Sequence, residues 1–124
     1  MVKENMKTHK DLDVWKDSIE LVVKIYQITK IFPKEELYGL TSQIRRAAVS
    51  VPANISEGSA RNYSKEFIRF LRIAQESLSE FETLLQISSR LNYINEEMFK
   101  SVQGRIFKVN AQLSGLIKSI TVTL

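Results

Sequence analysis

Six basic side chains, Arg45, Arg46, Arg61, Lys65, Arg69 and Arg72, fall between residues 45 and 72, where only two acids, Glu57 and Glu66, offset them. The flanking segments are balanced: residues 1–44 hold seven lysines and seven acids, and residues 73–124 hold five bases and five acids. The whole formal charge of +4 therefore belongs to one internal band. A local positive field on an otherwise neutral chain attracts phosphate. Lys65, Arg69 and Arg72 stand at i, i+4, i+7, so they share one face of a helix. Taken singly, each is a solvated surface cation, with i,i+4 pairs available to some, as Arg72 has Glu76. Taken together they point to contacts with the backbone of RNA or DNA, without base readout. Tyr63, just ahead of them, is an aromatic surface on which a base can stack.

A second chemistry competes for part of this band. Arg45 and Arg46 flank Val49 and Ala53, small side chains on the face of their helix away from its core stripe. Arginine in such a place anchors protein interfaces as readily as nucleic acid. An oligomeric scaffold or adaptor that docks a protein partner is therefore the alternative reading of the same residues.

Catalytic chemistry has little to work with. The single histidine, His9, lies in a lysine-rich N-terminal stretch, and there is no cysteine, so disulfides, thiolate metal sites and cysteine nucleophiles are excluded. No Glu-x-x-His pair of the di-iron bundle type occurs. Glu76, Glu80 and Glu82 lie off the apolar stripe of their helix and read as a solvated face. Neither a P-loop nor a dinucleotide glycine pattern is present. A non-enzymatic protein without cofactor or metal is expected.

The elements that carry these residues follow from composition and period. With 124 residues, 44% of them hydrophobic, the chain has material for one domain, residues 1–124, with residues 1–10 as a flexible N-terminus. Four glycines and two prolines are too few for the turns of an all-β fold. No apolar run approaches the roughly 20 residues of a bilayer span. Met1-Val2-Lys3-Glu4-Asn5 has no apolar signal core, so the expected location is cytoplasmic, away from membranes.

Apolar period predicts four helices. The first runs from about Asp11 to Ile31, capped by Asp11 or Asp13, with two apolar stripes. Leu12, Trp15, Ile19, Val22, Val23 and Tyr26 are assigned to the core; Val14, Leu21, Ile25 and Ile28 to an oligomer interface. The second spans about Leu37 or Thr41 to Ser56 on the stripe Leu40, Ile44, Ala47, Val51 and Ile55. Pro52 should kink or divide it, and Gly58 should stop it. The third runs from about Lys65 to Leu91 with Ser64 as N-cap, packing Phe67, Phe70, Leu71, Ala74, Leu78, Phe81 and Leu85. Its extra strip, Ile73, Leu84, Ile87 and Leu91, is assigned to the oligomer interface as well. The fourth runs from Glu96, capped by Asn95, to about Ile120. Short connections make sequence neighbours antiparallel, so the fold class is all-α: an up-down-up-down four-helix bundle with helix 2 kinked near Pro52.

The runs Phe32-Pro33, Glu36-Leu37-Tyr38-Gly39-Leu40, Gln43-Ile44-Arg45-Arg46-Ala47-Ala48 and Asn54-Ile55-Ser56-Glu57-Gly58 closely resemble one family. Phe67, Phe70-Leu71, Ile73-Ala74, Trp15 and Ile25-Tyr26 extend the match over about residues 12 to 91. It is the bacterial four-helix bundle family encoded in intervening sequences of 23S rRNA genes. The resemblance implies a homopentameric barrel. It also implies a relation to the accessory variability determinant of diversity-generating retroelements, a basic pentamer that works with a reverse transcriptase and binds nucleic acid. The family has no catalytic residues to carry over, and its positive surface maps onto Arg45, Arg46, Arg61, Lys65, Arg69 and Arg72.

Overall fold

A computed structural model describes His9 and residues 12–124. The rest of the expected flexible N-terminus and the Asp11 cap lie outside the described residues. Four α-helices follow one another: α1 (Asp13–Thr29), α2 (Leu40–Ser59), α3 (Ser64–Arg90) and α4 (Glu96–Thr121). One turn of 3₁₀-helix, Lys34–Glu36, leads into α2. Each helix packs beside its sequence neighbour and α1 closes on α4, so the four make an antiparallel up-down-up-down bundle. No helix among the described residues is long and apolar enough to cross a membrane.

The helix ends show which local signals held. Asn95 Oδ1 accepts the Met98 N–H at 2.8 Å, the N-cap expected for α4, and Glu96 and Glu97 sit at the positive end of its dipole. For α3 the expected Ser64 cap is corrected: Ser64 is already helical, and Tyr63 precedes it without a side-chain cap bond. In α1 the flanking residue is Leu12, again without a cap bond, and Asp13 acts through its charge in the first turn. α3 ends in a left-handed residue, Asn92 at φ 63°. Tyr93 N–H returns to Ser88 O at 2.9 Å and Asn92 N–H to Ser89 O at 3.0 Å, which satisfies two orphan carbonyls.

α2 is one continuous helix through Pro52, so its division in two is corrected. Proline has no N–H to give the Ala48 carbonyl, yet the helix runs on through Pro52, which is buried. The helix ends at Ser59, next to Gly58 as expected, but Gly58 is itself helical and does not take the left-handed conformation of a glycine stop. A Cβ there would lie 2.7 Å from Phe70 Cβ and 3.0 Å from Phe67 Cδ1, so glycine is what lets α2 and α3 approach closely beside the turn that joins them.

α1 turns to the core the stripe opposite to the one expected. Val14, Leu21, Ile25 and Ile28, assigned above to an oligomer interface, are buried in the core of the chain itself. They form a 14, 18, 21, 25, 28 repeat whose second member is Ser18. That polar residue obscures the stripe in the sequence; in the structure its hydroxyl donates to Trp15 O at 2.8 Å and costs the core nothing unpaired. The opposite stripe, Trp15, Ile19 and Val22, is half-buried, and Val23 and Tyr26 are exposed. Of the interface residues assigned to α3, Leu84 is also core, Ile73 is half-buried and Ile87 is exposed.

Candidate nucleic-acid interface

The turn between α2 and α3 gathers the cations that are close in space. Gly58 seats the end of α2 on Phe67 and Phe70. The Arg61 guanidinium then lies 5.1 Å from the centre of the Phe70 ring, and that of Arg69 4.6 Å from it. One half-buried aromatic ring thus holds two guanidinium groups at the surface. Each also has a carboxylate: Arg61 donates to Glu57 at 2.9 Å and Arg69 to Glu66 at 3.1 Å. The bond from Arg69 holds the Glu66 carboxyl below its usual range and raises the Arg69 guanidinium, so this pair is ionised at neutral pH.

Lys65 and Arg72 are exposed and make no ion pair among the described residues. The expected Arg72–Glu76 pair is not formed. Residues 57–72 therefore present four bases against two acids, with Lys65 and Arg72 uncompensated. Tyr63 is 72% exposed at the start of α3, next to this group in the chain.

Arg45 and Arg46 do not join them. Arg46 and Arg61 are 15 residues apart on α2 and its turn, which is about 22 Å of helix. The two neighbours also face opposite flanks. Arg45 turns to α1, where its Nε donates to Thr29 Oγ1 at 2.8 Å and its guanidinium lies 4.5 Å from the centre of the Tyr26 ring. Arg46 turns to α3 and lines a recess with Gln43, Ser50 and Glu80. The single band of six read from the sequence is thus four bases on the turn and the first turns of α3, of which Arg61 and Arg69 meet on Phe70, and two separate arginines. Phe70 is the member that sequence reasoning missed. Its place in the apolar period marks it as core, and no spacing signal links it to Arg61 across the turn.

Among the described residues no three His, Cys, Asp or Glu side chains cluster to hold a metal ion.

The model of the 23S rRNA-intervening sequence protein family matches residues 10–115. The fold is similar to that of a protein of unknown function from the S23 ribosomal protein family of Bacteroides thetaiotaomicron, with a TM-score of 0.79 and 29% sequence identity over 85% of this chain and 98% of that one. No curated protein sequence matches significantly. The length of the family match and the shared bundle agree with the motif resemblance on α2 and α3: the chain belongs to the 23S rRNA-intervening sequence protein family.

Proposed function

We propose that this protein is a non-enzymatic, oligomeric helical protein that binds the phosphate backbone of RNA or DNA at the α2–α3 turn. The observation that carries the reading is the Arg61–Phe70–Arg69 stack with Lys65 and Arg72 exposed and unpaired beside it. Guanidinium groups held on a ring lose less freedom when they meet a phosphate than free side chains do. Four bases per chain make few contacts, and assembly into a ring, a pentamer on the family resemblance, would multiply them by avidity. The test is a double charge reversal, Lys65→Glu with Arg72→Glu, at two exposed positions. The variant should keep its helical spectrum and oligomeric mass and lose most of its binding to a short RNA or DNA duplex. Unchanged binding would refute the site.

A second reading, a protein-interaction scaffold, is favoured by one observation. Val23, Tyr26 and Val49 are each at least 40% exposed along the α1–α2 seam, and Arg45 is pinned on Tyr26 among them. An apolar strip with a fixed arginine has the make-up of an interface core, for a second copy or for another protein. Val49→Glu should then lower the mass seen by light scattering or abolish capture of a partner; a variant indistinguishable in both would remove this reading.

A further inference from the structure

The groove between α3 and α4, on another part of the surface, contains a recess of about 320 Å³ that neither reading uses. Two hydrogen-bonded rungs close its ends. At one end Gln75 donates to Asn110 Oδ1 at 3.2 Å and to Ser114 Oγ at 2.9 Å. At the other, Glu82 Oε2 accepts from Gln86 at 3.1 Å and from Gln103 at 3.4 Å. Gln75 and Glu82 are seven residues apart on α3, so the rungs stand about 10 Å from each other. Between them the floor is Leu78 and Ile106, both buried, and one wall is Phe107, which is 58% exposed.

The charge in this recess is one-sided. Glu82 is the only ionisable side chain lining it, it is half-buried, and no Lys or Arg among the described residues pairs with it. Both bonds it accepts go to Oε2, so Oε1 is left with lone pairs and no protein donor among the described residues. A part-buried carboxylate gains from a cationic hydrogen-bond donor. An aromatic wall and an aliphatic floor suit a cation that is planar and carries an apolar stem, which describes arginine better than lysine.

We infer that the α3–α4 recess is a docking site for an arginine side chain of a protein partner, its guanidinium on Glu82 and against the Phe107 ring, its stem over Leu78 and Ile106. The charge complementarity of Glu82 selects a basic segment over an acidic or neutral one.

The test is a titration of the full-length, ¹⁵N-labelled protein with acetyl-Gly-Arg-Gly-amide and with the same peptide carrying citrulline, the uncharged isostere of arginine. The arginine peptide should shift the amide resonances of Ser79, Glu82 and Phe107, and the citrulline peptide should bind about tenfold more weakly. Glu82→Gln keeps an oxygen for the two glutamine donors and should reduce the arginine peptide to the citrulline level. Phe107→Ala, at an exposed position, should weaken binding without lowering the unfolding midpoint, so a folding defect is told apart from a lost contact. Equal binding of the two peptides, or binding indifferent to Glu82→Gln, would overturn the inference. A fall in oligomeric mass in either variant would assign the recess to a second copy of the chain and would overturn it equally.

Discussion

The Tyr93 hydroxyl donates to Glu36 Oε2 at 2.8 Å, across 57 residues of chain. The other oxygen of the same carboxylate, Oε1, accepts the Leu40 N–H at 3.1 Å and so caps α2. One side chain therefore starts α2 and ties the α1–α2 connection to the α3–α4 turn. Tyr93 reaches it because Asn92 adopts the left-handed conformation that ends α3. The contact of Phe32 with the Tyr93 ring, 5.3 Å between centroids, packs the same end of the bundle.

This pair sets an alkaline limit on stability. The bond to Glu36 foremost, then burial and the Glu36 and Glu35 charges, raise the Tyr93 phenol above its ordinary value. A group raised in the folded state stabilises fully below its unfolded value, near 10 for tyrosine, and that contribution disappears as pH rises through the folded value. Urea midpoints should therefore favour the native chain over Tyr93→Phe at neutral pH, with the difference closing above about pH 10. A constant difference across that range would show that Tyr93 contributes by packing alone.

Gly58→Ala should destabilise the chain by about 1–3 kcal/mol, because the new methyl overlaps Phe70 Cβ at 2.7 Å and the Phe67 carbonyl lies at 3.3 Å. Both flanking groups are on or next to the α3 backbone and cannot swing away. Thermal unfolding measures the loss. An unchanged or raised midpoint, the usual effect of alanine at a helical glycine with free space around it, would contradict the close approach.

The orientation of α1 is open to a direct comparison. Ile25 is fully buried, whereas Val23, two residues earlier, is 48% exposed. Ile25→Ala should cost about 2–5 kcal/mol and Val23→Ala less than about 0.5 kcal/mol in the monomeric unit. The reverse order would restore the opposite facing of the helix.

Trp15 Nε1 donates to Ser56 Oγ at 3.0 Å, which fixes the register of α1 on α2. Ser56→Ala should cost about 1 kcal/mol. Combined with Trp15→Phe, the two losses should fall short of additive, because each removes the same bond. Strict additivity in denaturant unfolding would show that the bond contributes nothing.

The bundle was legible in the sequence because the apolar period of α2, α3 and α4 runs unbroken over several turns and Asn95 marks a start with a polar cap. α1 was legible as a helix but not in its facing. Both of its stripes are apolar, and period alone does not say which one meets the core; Ser18 interrupts the stripe that is buried. The candidate site was legible as composition and not as geometry. Counting charge found all six bases. It could not show that Arg45 and Arg46 turn to opposite flanks of α2, nor that Phe70 gathers Arg61 and Arg69, because both follow from helix packing across turns.

The most direct test of the proposed phosphate-binding turn is the salt dependence of duplex binding by the native chain and by Lys65→Ala with Arg72→Ala. On this account log K falls linearly with log salt, and the slope for B-DNA flattens by about 0.9 for each phosphate contact removed, near 2 for the pair. Equal slopes for the two proteins, or binding indifferent to salt, would contradict it.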